Sequence, residues 1–85
     1  MIDAYLDELH ESRHVLMVAF QFRTYSIRAA KVGDEYACAI FDDDEYLDGY
    51  SILIAKDDPI SPVGEDYILE QMLKDMKGRL VSQVN

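Results

Sequence analysis

The stretch TYSIRAAKVGDEYACAIF, residues 24–41, decides the fold, because a segment of alternating polar and apolar residues and a continuous apolar segment stand on the two sides of one turn. Residues 24–29 have the period of two that is typical of a half-buried strand. Residues 32–35 read as a hairpin turn, since Gly33 can adopt a positive φ. Residues 36–41 are then the returning strand, and the stretch predicts an antiparallel hairpin.

Upstream of this hairpin, the spacing of Ile2, Tyr5, Leu6 and Leu9 predicts an amphipathic helix over residues 2–12. Residues 15–22 fit either a continuation of that helix or a buried strand. Their β-branched and aromatic composition favours the strand. The apolar residues then switch from even-numbered to odd-numbered positions between Phe22 and Tyr25. This switch predicts a bulge near Arg23 and Thr24.

Downstream, residues 42–49 read as a polar connection and residues 50–55 as a third strand. Ser61 can cap a helix, and Pro62 suits its first position. A long helix is therefore predicted over residues 63–82, which Gly78 could end early. Its apolar stripe comprises Ile68, Leu69, Met72, Leu73, Met76 and Leu80.

These elements predict an α+β fold in the order αβββα, with a three-stranded antiparallel meander. Placing the N-terminal helix and the long C-terminal helix on one face is the simplest way to bury both apolar stripes. Residues 1–85 are interpreted as a single domain, since 85 residues with 49% apolar content suffice for one small core.

We expect a cytoplasmic location, because no apolar run approaches the length of a membrane span and the first residues do not resemble a signal peptide. The single cysteine, Cys38, cannot form an internal disulfide. Its apolar neighbours favour a buried thiol over a reactive one. A reducing compartment fits this interpretation.

The segment HESRH, residues 10–14, matches His-Glu-x-x-His, the zinc-binding helix of the zincin family. A zinc hydrolase would use His10 and His14 as ligands and Glu11 as the base. However, the chain has no third histidine, and Arg13 would place a positive charge beside the metal. The sequence also lacks a phosphate-binding loop and a nucleophile motif, so we expect neither an enzyme nor a cofactor.

The charge distribution is the most informative functional feature. The net charge is −9, and residues 34–70 hold twelve acidic residues against one basic residue. Such a protein would repel nucleic acid and attract a basic protein surface. The candidate contact residues are Asp42, Asp43, Asp44, Glu45, Tyr46, Asp48, Asp57 and Asp58, with Tyr50 as a second aromatic anchor.

In size and charge, the chain resembles the small acidic inhibitors made by bacteriophages, the anti-CRISPR and DNA-mimic anti-restriction proteins. This resemblance implies a stoichiometric inhibitor that blocks a basic nucleic-acid-binding surface. Two alternatives remain open at this point. The acids could serve solubility alone, or the chain could be an assembly subunit or homodimer that pairs through Leu69, Met72, Leu73 and Met76.

Overall fold

The computed structural model describes residues 5–53 and 64–82. Within them, four strands form one antiparallel sheet in the order β1-β2-β3-β4, and two helices pack against it. The protein is therefore α+β, as predicted, with one strand more than expected. The elements are α1 (Leu6–Glu11), β1 (His14–Phe20), β2 (Arg23–Val32), β3 (Glu35–Asp42), β4 (Glu45–Leu53) and α2 (Gly64–Ser82).

The additional strand arises because Gln21 and Phe22 form a tight turn where a bulge was predicted. Phe20 pairs with Arg23, and both turn residues have positive φ, at 52° and 67°. This geometry is that of a type I′ turn, which usually contains Asn and Gly. A two-residue turn switches the apolar residues between even and odd positions, as a bulge does, so the sequence pattern fits both. The dipeptide Gln-Phe also lacks the Asn and Gly that indicate such a turn. The strand predicted within residues 15–22 is confirmed for residues 15–20, and β1 begins one residue earlier, at His14.

The predicted connection at 42–49 is also mostly strand. Only Asp43 and Asp44 form the turn, and β4 begins at Glu45. Leu47 is an extra residue in β4, where the register shifts between Ile40 and Phe41 of β3. Acidic residues are tolerated because β4 is an exposed edge strand. Residues 54 and 55 of the predicted third strand lie outside the described part of the chain.

The two helices lie on opposite faces of the sheet, contrary to the predicted arrangement. The apolar stripe of α2 packs on Ile27, Ala29 and Cys38, whereas Leu9 of α1 packs on the other face. The physical reason is that β3 is apolar on both of its sides. Each face of the sheet must be shielded from water at β3, and one layer of helices can shield only one face. The α1 face carries Ala30, Ala37, Ala39 and Phe41.

Both helices are close to their predicted positions. Helix α1 ends at Glu11, and Ser12 joins this end to the sheet by donating its hydroxyl to the Ala29 carbonyl. The backbone N–H of His14 donates to the same hydroxyl at 3.0 Å. Helix α2 continues through Gly78, so this glycine does not end it. The predicted cap at Ser61 and Pro62 lies outside the described residues.

The apolar stripe of α2 is part of the protein's own core. All six of its side chains are buried, and Met76 is completely enclosed. Pairing of two chains through Leu69, Met72, Leu73 and Met76 would require the core to open, so the proposed dimer surface is not available in this fold. Cys38 is also fully buried, as predicted, with its thiol 3.6 Å from the Met72 carbonyl oxygen.

Gly49 is needed where β4 approaches β3, and we expect Gly49→Ala to destabilise the protein. A Cβ at this position would lie 2.7 Å from the Cys38 carbonyl oxygen, which is backbone and cannot move away cheaply. The expected loss is about 1–3 kcal/mol in the free energy of unfolding, measured by urea denaturation. The control is Gly78→Ala, which meets no atom within 4 Å and should stabilise α2 by about 1 kcal/mol. Equal effects of the two substitutions would contradict this packing.

We expect the buried thiol to make stability fall at high pH. Burial, and next the nearby Asp75 charge, raise the pKa of Cys38 from 9.0 to about 12. The unfolded chain ionises first, so the stabilising contribution is complete below pH 9 and is lost as pH rises towards 12. The expected slope is at most about 1.4 kcal/mol per pH unit.

The measurement compares urea unfolding of the wild type and Cys38→Ala at several pH values from 8 to 11. Titratable groups that do not interact with Cys38 cancel in this comparison. Tyr50 cancels only in part, because burial and then the charge of Cys38 raise its pKa. Parallel pH curves for the two proteins would show that the thiol titrates alike in the folded and unfolded states.

Candidate functional site

The acidic clusters between residues 34 and 66 that the structure describes lie at the two ends of the sheet. In an antiparallel meander, alternate turns lie at the same end, so the β1–β2 turn neighbours the β3–β4 turn. We call Asp42, Asp43, Asp44 and Glu45 the acidic turn. The β2–β3 turn and the start of α2 lie at the opposite end. The sequence left open whether the acidic clusters form one patch or two, and those within residues 5–53 and 64–82 lie at two opposite ends of the sheet.

At the end opposite the acidic turn, basic side chains pair with two of the acids, whereas Asp34 and Glu35 of the β2–β3 turn have no ion pair within the described residues, and Glu35 Oε2 is buried without a hydrogen-bond partner. Lys31 Nζ lies 2.8 Å from Glu65 Oε1, and His14 Nε2 lies 3.2 Å from Asp66 Oδ1. The hydrogen bond to Glu65, followed by its charge, raises the pKa of Lys31. Glu65 and Asp66 also lie in the first turn of α2, where negative charge is favourable. These acids attach the helix to the sheet.

The acidic turn is different, because most of its charge has no basic partner. Arg23 forms an ion pair with Asp42. Across residues 5–53 and 64–82, no ion pair reaches Asp43, Asp44 or Glu45, and all three are exposed. The short turn between two paired strands holds these carboxylates close together. The arrangement is a compact, exposed negative surface on a rigid support.

Asp48 extends this surface along β4. It is exposed, and its Oδ1 accepts a hydrogen bond from the backbone N–H of Gly49 at 2.9 Å. Its strand partner is Ile40, so Asp48 lies on the α2 face of the sheet. Asp57 and Asp58 lie outside the described residues. Of the predicted contact residues, the structure therefore gathers four in one turn and places Asp48 on the adjoining strand.

The aromatic residue beside the acidic turn is Phe22, which the sequence analysis did not select. Its side chain is fully exposed at the tip of the β1–β2 turn. Its neighbour Arg23 forms the ion pair with Asp42, which joins the two turns. A bulky residue at φ 67° is unusual and costs conformational energy. The change of apolar parity between residues 22 and 25 was the only sequence signal for this turn.

The two tyrosines predicted as anchors are occupied by packing. Tyr46 stands edge-on to Phe41, with ring centroids 6.1 Å apart, and belongs to the cluster under α1. The guanidinium of Arg79 lies 4.5 Å from the centre of the Tyr50 ring. Burial raises the pKa of Tyr50 above its usual range. Both rings support the fold, and Phe22 is the exposed aromatic of this region.

The segment HESRH does not form the geometry of a zincin helix. His10 is in α1 and stacks on Phe41, with ring centroids 4.7 Å apart. His14 is the first residue of β1, and its ring reaches Asp66 on the opposite face of the sheet. The helix ends between the two histidines, so they cannot occupy successive turns. In the described ranges, no three His, Cys, Asp or Glu side chains are grouped as metal ligands.

Neither of the helices described here is long and apolar enough to cross a membrane. Comparison with known proteins finds no matching family model, no similar curated protein and no similar solved structure. The function is therefore inferred from the charge and geometry of the site itself.

Proposed function

We propose that this protein is a small, non-catalytic inhibitor that uses its acidic turn to occupy a basic nucleic-acid-binding surface of a partner protein. The observation that carries this proposal is the set of exposed, unpaired carboxylates of Asp43, Asp44 and Glu45 beside the fully exposed Phe22. The partner is a protein rich in Lys and Arg, and no catalytic step or cofactor is involved.

The charge supports a basic partner in preference to simple solvation. Glu65 and Asp66, which attach α2 to the other end of the sheet, each have a basic partner. The acidic turn instead concentrates charge where none of it is used within the described residues, apart from Asp42. A cluster of fixed carboxylates can replace backbone phosphates at a basic groove, and its field accelerates encounter with that groove.

Phe22 supports an interface at the same end of the sheet. Interfaces favour a central aromatic anchor surrounded by polar residues, and Phe22 beside the acidic turn has this composition. A phenylalanine at positive φ with no burial contributes nothing evident to folding. Such local strain is concentrated at functional sites. We therefore assign Phe22 as the apolar anchor and the acidic turn as its charged surround.

The class of inhibitor follows from these properties. A short acidic domain without catalytic groups fits the anti-CRISPR and DNA-mimic anti-restriction type, acting in the cytoplasm at one copy per target. The assembly-subunit alternative receives less support, because the α2 stripe it requires is buried in the core.

The direct test is charge reversal at the acidic turn. We expect the triple substitution Asp43→Lys, Asp44→Lys and Glu45→Lys to abolish capture of a basic partner from a nuclease-treated bacterial lysate. Wild-type capture should weaken steeply with salt, since the contact is electrostatic. The wild type should also displace DNA or RNA from the purified partner, measured by fluorescence anisotropy.

The matched control reverses three exposed acids elsewhere, in Glu11→Lys, Asp34→Lys and Glu70→Lys. It changes the net charge by the same amount and should still capture the partner. If both triple variants lose the partner alike, only overall charge matters and the acidic turn is not the site. If both retain it, the proposal fails.

A second test separates stability from binding at the β1–β2 turn. We expect Gln21→Asn with Phe22→Gly to raise the free energy of unfolding by about 1–2 kcal/mol, because Asn and Gly accept positive φ. The same variant should bind the partner at least tenfold more weakly, since it lacks the aromatic anchor. Urea denaturation and binding titration give the two values. The control Val81→Ala removes an exposed apolar side chain from α2 and should leave affinity unchanged. Unaltered affinity of the turn variant would exclude Phe22 as an anchor.

A further inference from the structure

The outer edge of β4 has no strand partner in the described structure. The sheet ends at β4, and within residues 5–53 and 64–82 the only backbone–backbone hydrogen bond outside the helices and strand ladders joins Ser12 to Leu9. Every second residue of β4 therefore directs its N–H and C=O groups away from β3. Six of the nine residues of β4 are exposed and none is buried. An exposed strand edge of this kind is a template on which another strand can pair.

The side chains of β4 on the α2 face change from acidic to apolar along the strand. The strand partners of Asp48, Tyr50 and Ile52 all belong to the core cluster beneath α2. Glu45 faces Asp42, which lies on the same face by strand alternation. Glu45 and Asp48 are exposed and have no ion pair within the described chain. One half of this row is therefore negative, and the other half is apolar.

An apolar groove lies between this edge of the sheet and α2. Helix α2 packs mainly over β1, β2 and β3, so the outer side of β4 stands beside the helix. The groove has a volume of about 310 Å³ and is lined chiefly by Tyr50 and Ile52 of β4 and by Tyr67, Ile68 and Met72 of α2. Ile52 and Tyr67 remain 39% and 51% exposed. A strand paired with β4 would direct every second side chain into this groove.

We propose that the outer edge of β4 receives an extended segment of the partner, which adds a fifth strand to the sheet. The added strand runs antiparallel to β4, because antiparallel pairing is the more stable ladder. Its aliphatic side chains enter the groove beside Ile52 and Tyr67, and its basic side chains lie beside Asp48 and Glu45. This inference rests on the proposed function, because the segment belongs to the basic protein that the acidic turn engages.

The charges of β4 favour this occupant over a second copy of the chain. Strand β4 contains two acidic residues and no basic residue. Pairing β4 with its own copy would bring the carboxylates of both chains together without a cation, and each chain carries a net charge of −9. A strand with aliphatic and then basic side chains complements both halves of the row. The other edge strand, β1, has no such pattern, because its residues 15–20 are uncharged.

The test uses a peptide with this pattern, acetyl-Val-Thr-Val-Thr-Lys-Thr-Lys-amide, titrated into the ¹⁵N-labelled protein and followed by NMR. We expect saturable shifts along β4 and at Tyr67, Ile68 and Met72. The β4 amides that exchange fast with solvent in the free protein should exchange more slowly in the complex. Shifts confined to residues 42–45 would overturn the added strand.

The basic side chains of the peptide are tested by replacing both lysines with norleucine. This peptide should bind at least about threefold more weakly, because it lacks the charges that attract Asp48 and Glu45. Equal affinity of the two peptides would overturn the basic occupant.

Backbone methylation separates strand pairing from charge attraction. One peptide is methylated at the amide nitrogens of its three threonines, and another at those of its second valine and two lysines. The two have the same charge and the same number of methyl groups. Because N–H groups alternate in direction along a strand, one methylated set faces β4 and the other faces solvent. One peptide should bind at least about tenfold more weakly than the parent, and the other within about twofold of it. Equal binding of the two would overturn the added strand.

Tyr67→Ala tests the groove from the side of the protein. Because Tyr67 is half exposed, the variant should keep a thermal midpoint close to that of the wild type. It should bind the parent peptide about threefold more weakly, since one apolar wall is lost. The matched control is Val81→Ala, which removes an exposed apolar side chain from the same helix outside the groove. Equal affinity of these two variants would show that the groove is not used.

The two proposals fail in different ways. If the two methylated peptides bind alike while the triple lysine variant at residues 43–45 loses the partner, the added strand is wrong and the acidic turn remains the docking site. If the triple variant retains the partner, the proposed function is wrong. In that case, the methylated peptides still decide whether the edge of β4 accepts a strand.

Discussion

The burial of β3 on both of its faces is the constraint on which the rest of the structure depends. Residues 36–41 are all buried, so each side of this strand needs its own cover. Helix α2 covers Cys38 and Ile40, and α1 covers Ala37, Ala39 and Phe41. The alanines on the α1 face let a helix of six residues approach closely. Because β3 is central, β2 and β4 must flank it, and the sheet order follows.

The topology then gives the two ends of the sheet different roles. One end joins α2 to the sheet through Lys31 with Glu65 and His14 with Asp66. These two ion pairs stabilise the fold. The other end carries two turns and no helix start, and of its acidic residues only Asp42 has an ion-pair partner within the described chain. In a chain of net charge −9, we propose that the charge at this end acts on another molecule.

The β1–β2 turn shows a conflict between stability and surface chemistry. Gln21 and Phe22 adopt backbone angles that favour Asn and Gly, and Phe22 also exposes a complete aromatic ring to water. Both features oppose folding, and no contact within the described residues offsets them. Together with the acidic turn, this turn makes one end of the sheet a candidate interface that combines negative charge with an exposed aromatic ring.

The sequence by itself determined the α+β class, the hairpin around Gly33, the buried thiol of Cys38 and the apolar stripe of α2. Each of these depends on local periodicity or on one residue's conformational freedom. It also identified the acidic residues as the leading functional signal. Four of the predicted contact residues, Asp42 to Glu45, are gathered in a single turn.

Only the tertiary structure decided which acids are paired, which aromatic is exposed and which face each helix covers. Pairing of Asp42 with Arg23 depends on two turns meeting at one end of the sheet, which no local pattern encodes. The sequence favoured Tyr46 as the aromatic anchor because it lies beside the acids in the chain, whereas the structure places Tyr46 under α1 and Phe22 at a turn tip. The physical reason is that the burial of a side chain and its ion pairs are set by contacts with residues that are distant along the chain.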